Sequence, residues 1–458
     1  MTSYSSIKFS VLGGGGEVGA NCFQLSCNGH RIILDCGTHP KKEGADCLPA
    51  FELLDRSPDA YFVSHGHVDH CGAIPCLCRQ YPKLRGYATA PSTTIIDRML
   101  HNSVSVMEII ARERGISDYP LYDHYDVGYA MRFLESKTFN KPFSFCDGLD
   151  AQAEFLHAGH VLGSASILLK FPGHTILYTG DVSKTRQFLM GGYAPPRKDL
   201  QVDTLIIEST LGATKEENGM AYHDEIHRLA ASVRATLNRG GCALIPSFAL
   251  GRTQEIVNII AQLQEEGHIP FTPIYTVGLG RAVYEIYSKY AEYLHPEATF
   301  RPLSRFEKLG NVWNTAMVQD LLRRPSVIIA TAGMMTENTP SALLAETMVK
   351  STHHGIFFVG YLDPDTLGYK LLHGAPDTEL QFGLNRPPVK VVLDDIGQFR
   401  LSAHASRTQL ARLVESVHPK NIIYVHGDTD ALNWMQKNTG NGAKTFVPET
   451  GQTITVEV

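Results

Sequence analysis

The chain has 458 residues, of which 43% are hydrophobic and 19% charged, and a formal net charge of −6. That length accommodates two or three domains with a sizeable core, and no apolar run approaches the roughly eighteen residues of a membrane span. Mild acidity argues against non-specific binding to nucleic acid, although bound divalent cations or a local cleft would offset it. The start, Met1-Thr2-Ser3-Tyr4, lacks a basic stretch followed by an apolar one, and the nine cysteines are sparse and odd in number. Together these predict a reducing, cytoplasmic setting with free thiols.

In chain order, Lys8–Leu12, Cys22–Ser26 and Arg31–Asp35 read as short strands separated by Gly or Asn turns. Gly14, Gly16 and Gly19 match the spacing of a dinucleotide fingerprint. That motif needs a helix next; here strands follow, so it reads as a turn. Strands are also predicted at Ala60–Ser64, Ile167–Phe171, Thr175–Tyr178 and Thr204–Ile207. Between 94 and 137 a helical insertion is expected, with Val127, Ala130, Met131 and Leu134 at helical spacing and Asp126 as its cap.

From about 212 helices and strands alternate. Ile226, Leu229, Ala230, Val233 and Leu237 share a helical face ended by Gly240-Gly241, and the strand Ala243–Ile245 follows. Helices carrying Ile256–Leu263, Tyr284 and Leu343 then alternate with strands Ile274–Val277, Val327–Ala330 and Ile356–Gly360. This rhythm implies a parallel sheet covered by helices. After 392 come a strand, a helix from Arg407 with Ser406 and Gln409 as a capping box, and a strand Ile422–Val425. The predicted organisation is a β-rich domain built from 1–211 and 393–458, interrupted by an α/β domain over 212–392.

Ser64-His65-Gly66-His67-Val68-Asp69-His70 places four ligand-type side chains in one short segment after an apolar strand. Imidazole and carboxylate suit zinc and related ions. Asp35 ends a strand and is a candidate to orient a ligand from behind. His160, Asp181 and His426 each stand at a strand end or in the loop after one. Taken singly each is more often structural, but together they complete two metal shells bridged by one aspartate. Cys71, Cys76 and Cys78 fit no zinc knuckle and read as core thiols. His223 and His227 read as a solvated helix face.

Glu17-Val18-Gly19, Leu34-Asp35-Cys36-Gly37, the His65–His70 block, His157–Ser164, Tyr178–Asp181, Ile207-Glu208-Ser209-Thr210, Phe248–Arg252, Ser402-Ala403-His404 and Val425-His426-Gly427 occur in order. The set resembles the β-CASP family of metallo-β-lactamase-fold nucleases over almost the whole chain. The resemblance implies an α/β fold, an αββα sandwich carrying an inserted β-CASP cap, and two Zn2+ per chain. It assigns His65, His67 and His160 to the first zinc, Asp69, His70 and His426 to the second, and Asp181 to both. His404 is then the candidate general acid or phosphate donor, oriented by Glu208. Ser247, Arg252 and Thr366 are candidate phosphate contacts.

The implied substrate is single-stranded RNA, cut internally, with 5′-exonuclease action as a second mode. A DNA nuclease, a small-ester hydrolase and a non-catalytic scaffold are the alternatives. The resemblance also implies a homodimer, and no membrane partner is expected. Ala20-Asn21, Leu211 and Ser406 depart from the family pattern without removing a metal ligand.

Overall fold

A computed structural model describes residues 6–194, 200–215, 221–375, 377–383 and 385–457. Contacts divide the chain into two compact units, one of Met1–Arg186, Gly192–Glu216 and His404–Val458, the other of Gln187–Gly191 and Glu217–Ala403. The fold class is α/β. No described helix is long and apolar enough to cross a membrane.

The first unit is two sheets face to face. One has seven strands in the order Thr453–Glu457, Ser6–Gly13, Cys22–Cys27, His30–Leu34, Ala60–Phe62, Arg85–Thr89 and Leu134–Lys137. The other has six, in the order Lys444–Phe446, Asn421–Val425, Thr204–Glu208, His174–Tyr178, Ala165–Phe171 and Gln152–His157. Phe9, Phe23, Phe62, Phe155, Ile167 and Ile206 meet between the sheets in one buried cluster. Each such side chain taken from water contributes about 1.5–3 kcal/mol, which fixes strand register because a one-residue slip would turn them outward. Helices cover the outer faces. Ile74, Leu77, Ile96 and Leu100 pack on the first sheet, and Leu410, Leu413, Leu432 and Met435 on the second. This is the αββα arrangement the resemblance implied.

The second unit holds a six-stranded sheet in the order Glu307–Lys308, Ile274–Thr276, Val327–Ala330, Ala243–Pro246, Gly355–Phe358 and Ile396–Gln398. Every neighbouring pair is parallel, as the alternating pattern predicted. Helix residues Leu229, Val233, Ile256 and Tyr284 bury against one face, and Val318, Leu343, Met348 and Leu371 against the other.

Three expectations need correction. Helix His124–Met131 is capped by Asp123, whose side chain accepts the N–H groups of Tyr125 and Asp126. Asp126 is the reciprocal partner of that capping box. Leu134 is not in the helix; it opens a strand paired in parallel with Arg85–Thr89. The strand Ile396–Gln398, placed after the 392 boundary, pairs with Gly355–Phe358 and so belongs to the second unit.

At the helix Arg407–Val417 the anticipated capping box is present: Ser406 accepts from Gln409 N–H, and the Gln409 side chain accepts from Ser406 N–H. Ser406→Ala should therefore lower the stability of the first unit by about 1 kcal/mol, read as a shift of its urea unfolding transition.

Candidate metal centre

The ligand-type side chains leave from the carboxyl ends of strands, where α/β sheets gather their binding sites. Strand Ala60–Phe62 runs on to His65 and His67, and the one-turn helix Val68–Cys71 carries Asp69 and His70. Asp181 follows His174–Tyr178, Glu208 ends Thr204–Glu208, and His426 follows Asn421–Val425. These three strands lie side by side in parallel, so their ends share one edge. His160 lies in the loop between Gln152–His157 and Ala165–Phe171. A Cβ on Gly37 would stand 1.8 Å from the Asp69 carbonyl oxygen. Glycine is therefore what lets the chain after Asp35 press against the His65–His70 segment.

Asp181 is the hub. Its Oδ2 lies 3.5 Å from His65 Nε2 and 3.6 Å from His160 Nε2. Its Oδ1 lies 3.4 Å from His70 Nε2 and 2.8 Å from His426 Nδ1. His67 Nδ1 is 2.9 Å from His65 Nε2 and 3.1 Å from His160 Nε2. On the other side Asp69 Oδ2 is 3.6 Å from His70 Nε2 and 3.4 Å from His426 Nε2. Two groups result, His65–His67–His160–Asp181 and Asp69–His70–His426, each with its ligand atoms within 4.8 Å of one another.

These donors fit metal ions. Five imidazoles and two carboxylates are packed donor against donor in a buried setting, which costs free energy unless positive charge sits among them. Asp181 Oδ1 and both ring nitrogens of His426 are buried, and the short contact between Oδ1 and Nδ1 lacks hydrogen-bond geometry. The all-nitrogen-and-oxygen set suits zinc-class ions. Burial pushes the Asp181 carboxyl up, but His426 and His70 outweigh it and hold the group well below the usual carboxylate range. Burial holds the His65 imidazole well below its ordinary value. An ionised aspartate and a neutral imidazole are the forms that bind metal. At His70 and His426 burial is outweighed by the carboxylates, Asp181 foremost, which raise the imidazoles, so a metal would have to displace a proton there.

Asp35 orients the second group from behind. It is fully buried and accepts from Ser64 N–H at 2.7 Å, Ser64 Oγ at 2.8 Å and Tyr178 OH at 2.6 Å. Its Oδ2 also faces His70 Nδ1 at 2.8 Å, which leaves His70 Nε2 turned to Asp69 and Asp181. Ser64 and Tyr178 sit inside motifs quoted from the sequence, but their role appears only once distant strands are paired. Asn21 was likewise missed: its Nδ2 donates to the Asp69 carbonyl at 3.2 Å and lies 3.2 Å from His70 Nε2. The departure at Ala20-Asn21 was the available signal.

His404 and Glu208 form a pair beside Asp181. His404 Nδ1 lies 3.4 Å from each Glu208 oxygen and 4.0 Å from Asp181 Oδ2. Glu208 is itself fixed by the N–H groups of Val182 at 2.8 Å and Thr210 at 3.3 Å. Burial pulls the His404 imidazole down, but Glu208 outweighs it and the net displacement is upward. A protonated, partly accessible imidazole can donate to an oxyanion.

Ser247, Arg252 and Thr366 belong to the second unit. Ser247 is buried and donates to the Ile245 carbonyl. Thr366 caps the helix Leu367–His373. Arg252 opens the helix Arg252–Glu265 but turns inward, donating to the Leu401 carbonyl at 2.7 Å and to the Gln187 side chain. His223 and His227 lie on an exposed helix face, and Cys71, Cys76 and Cys78 are buried thiols.

Three family models match the chain: the metallo-β-lactamase superfamily over residues 15–237, the β-CASP domain over 253–371, and the Zn-dependent metallo-hydrolase RNA specificity domain over 388–448. The chain is 30% identical over 437 residues to cleavage and polyadenylation specificity factor 73 of Drosophila melanogaster, covering 93% of this chain and 60% of that one. It is 29% identical over 420 residues to an RNase J-like protein of Methanocaldococcus jannaschii, covering 91% of each. Endoribonuclease YSH1 of Saccharomyces cerevisiae is 27% identical over 476 residues, covering 98% and 59% respectively. The chain thus spans about 60% of the eukaryotic relatives' length. A crystal structure of a protein of unknown function from Enterococcus faecalis V583 shares the fold, with a TM-score of 0.58 at 13% identity, covering 99% of this chain and 100% of that one. The chain belongs to the β-CASP family of the metallo-β-lactamase superfamily.

Proposed function

We propose that the chain is a ribonuclease that holds two zinc ions and hydrolyses phosphodiester bonds of single-stranded RNA. His65, His67 and His160 would hold the first ion, Asp69, His70 and His426 the second, and Asp181 both. One observation carries this reading: the two Asp181 oxygens face different histidine groups, Oδ2 toward His65 and His160, Oδ1 toward His70 and His426. RNA as the substrate is supported by the relatives named endoribonuclease and by the RNA specificity domain matched over 388–448.

Two zinc ions bound there supply neutralisation of phosphate charge and a lowered pKa for water. The chain's own residues do the rest. Asp181 orders both groups around one carboxylate. Asp35 holds the His70 ring so that Nε2 faces the centre. Glu208 keeps His404 oriented and favours its protonated form, so His404 can donate its proton to the leaving oxygen as the P–O bond breaks. Ser247, Arg252 and Thr366 stay as candidate contacts to phosphates of the strand. The inward bonds of Arg252 support a scaffolding role for that residue at least as well.

The test is cleavage of labelled single-stranded RNA beside matched DNA. Wild type loaded with zinc should cut RNA. His404→Ala should lower kcat by about 10²–10⁴ while keeping two zinc ions per chain, whereas His67→Ala should lose zinc together with activity. Cleavage of DNA alone would move the assignment to a DNA nuclease, and a zinc-loaded wild type that cuts neither would exclude a nuclease. Asp35→Asn should weaken zinc binding by about 10–100-fold, measured by competition with a chromogenic chelator.

A further inference from the structure

At the other end of the first unit's larger sheet lies a second set of metal-type donors. His30 opens the strand His30–Leu34, and Asp59 directly precedes its parallel neighbour Ala60–Phe62. The centre described above lies at the carboxyl ends of these same strands, about 16 Å away along a five-residue strand. Cys146 reaches the pair from the segment ahead of strand Gln152–His157. His30 Nδ1 stands 3.4 Å from Cys146 Sγ and 3.6 Å from Asp59 Oδ2. One ligand atom from each residue falls within 4.8 Å of the others, and all three residues are half-buried.

Cys146 differs from the rest of its kind: the other eight cysteines are buried, and it is the one that solvent reaches. Nothing in the proposed chemistry uses it. The neighbouring cations are largely committed. Arg31 forms a double hydrogen bond to Asp55, and Arg56 lies 3.7 Å from the same Asp59 oxygen that faces His30. Asp59 is held in place by the Arg31 N–H at 2.7 Å, so the carboxylate is fixed before any ion arrives. A set of one sulfur, one imidazole nitrogen and one carboxylate oxygen selects zinc, cadmium or cobalt over magnesium or calcium. Three protein ligands leave a fourth position for water.

We propose that His30, Asp59 and Cys146 form a further site for a zinc-class divalent ion, separate from the centre around Asp181. Binding is a ligand exchange without electron transfer: the Cys146 thiol gives its proton to solvent, and a metal–sulfur bond replaces a metal–water bond. Burial, with Asp59 and Asp147, pushes the Cys146 thiol up, so the proton stays on until an ion displaces it. Occupancy would tie the segment before Gln152–His157 to the ends of two strands.

Cobalt separates the two sites, because the Asp181 centre offers only nitrogen and oxygen donors. Titrating Co2+ into the full chain should raise a near-ultraviolet thiolate-to-cobalt charge-transfer band whose final amplitude corresponds to one thiolate-bound ion per chain, whatever the uptake at the Asp181 centre. His67→Ala should keep the band, His30→Ala should weaken it, and Cys146→Ser should abolish it. Unaltered wild type gives a second reading. Cd2+ should slow alkylation of Cys146 by about tenfold, followed by mass spectrometry of the modified peptide. Absence of the band, its survival in Cys146→Ser, or alkylation indifferent to Cd2+ would each overturn the proposal.

Discussion

One carboxylate organises the first unit's functional edge. Asp181 is buried, held below the usual carboxylate range, and faced on its two oxygens by four imidazoles from three segments of the chain. A buried anion costs several kcal/mol unless it is paired, so the edge is tolerable only if the partners are held where they neutralise it. The packed sheets do that holding. Phe9, Phe23, Phe62 and Phe155 between them are all buried, and strands anchored in such a core move little. Their carboxyl ends therefore bring the ligand atoms of each group to within 4.8 Å of one another.

The supporting shell follows the same logic. Asp35 adopts a left-handed backbone (φ 57), an uncommon state for a residue with a side chain. In exchange its carboxylate receives three donors from Ser64 and Tyr178 and fixes His70. His426 is also left-handed (φ 50). Backbone strain of this kind concentrates where a structure must aim a side chain, and here both strained residues bear on the same histidine-rich edge. Glu208 repeats the pattern for His404, with two backbone N–H groups fixing the carboxylate that fixes the ring.

Much of this was legible in the sequence, and the misses have local causes. His65, His67, Asp69 and His70 announce themselves because they are adjacent, and the alternation of helix and strand after 212 shows the parallel sheet because each period is local. Leu134 was misassigned because Val127, Ala130 and Met131 set a helical phase that Leu134 happens to continue. Only its pairing with Arg85–Thr89 pulls it into a strand. Ile396–Gln398 carries three half-buried residues and no pattern of its own, so its place in the second sheet depends on a partner some forty positions earlier. Asn21, Ser64 and Tyr178 were invisible as partners for the same reason: a hydrogen bond across 143 positions, as between Tyr178 and Asp35, leaves no spacing to read.

The account rests on Asp181 serving two ions at once. Diffraction from zinc-loaded crystals at energies on either side of the zinc absorption edge tests this directly. Two anomalous peaks about 3.5–4 Å apart, one beside His65, His67 and His160, the other beside Asp69, His70 and His426, with Asp181 touching both, is the predicted result. A single peak at this edge, or two peaks with Asp181 bound to neither, would contradict it.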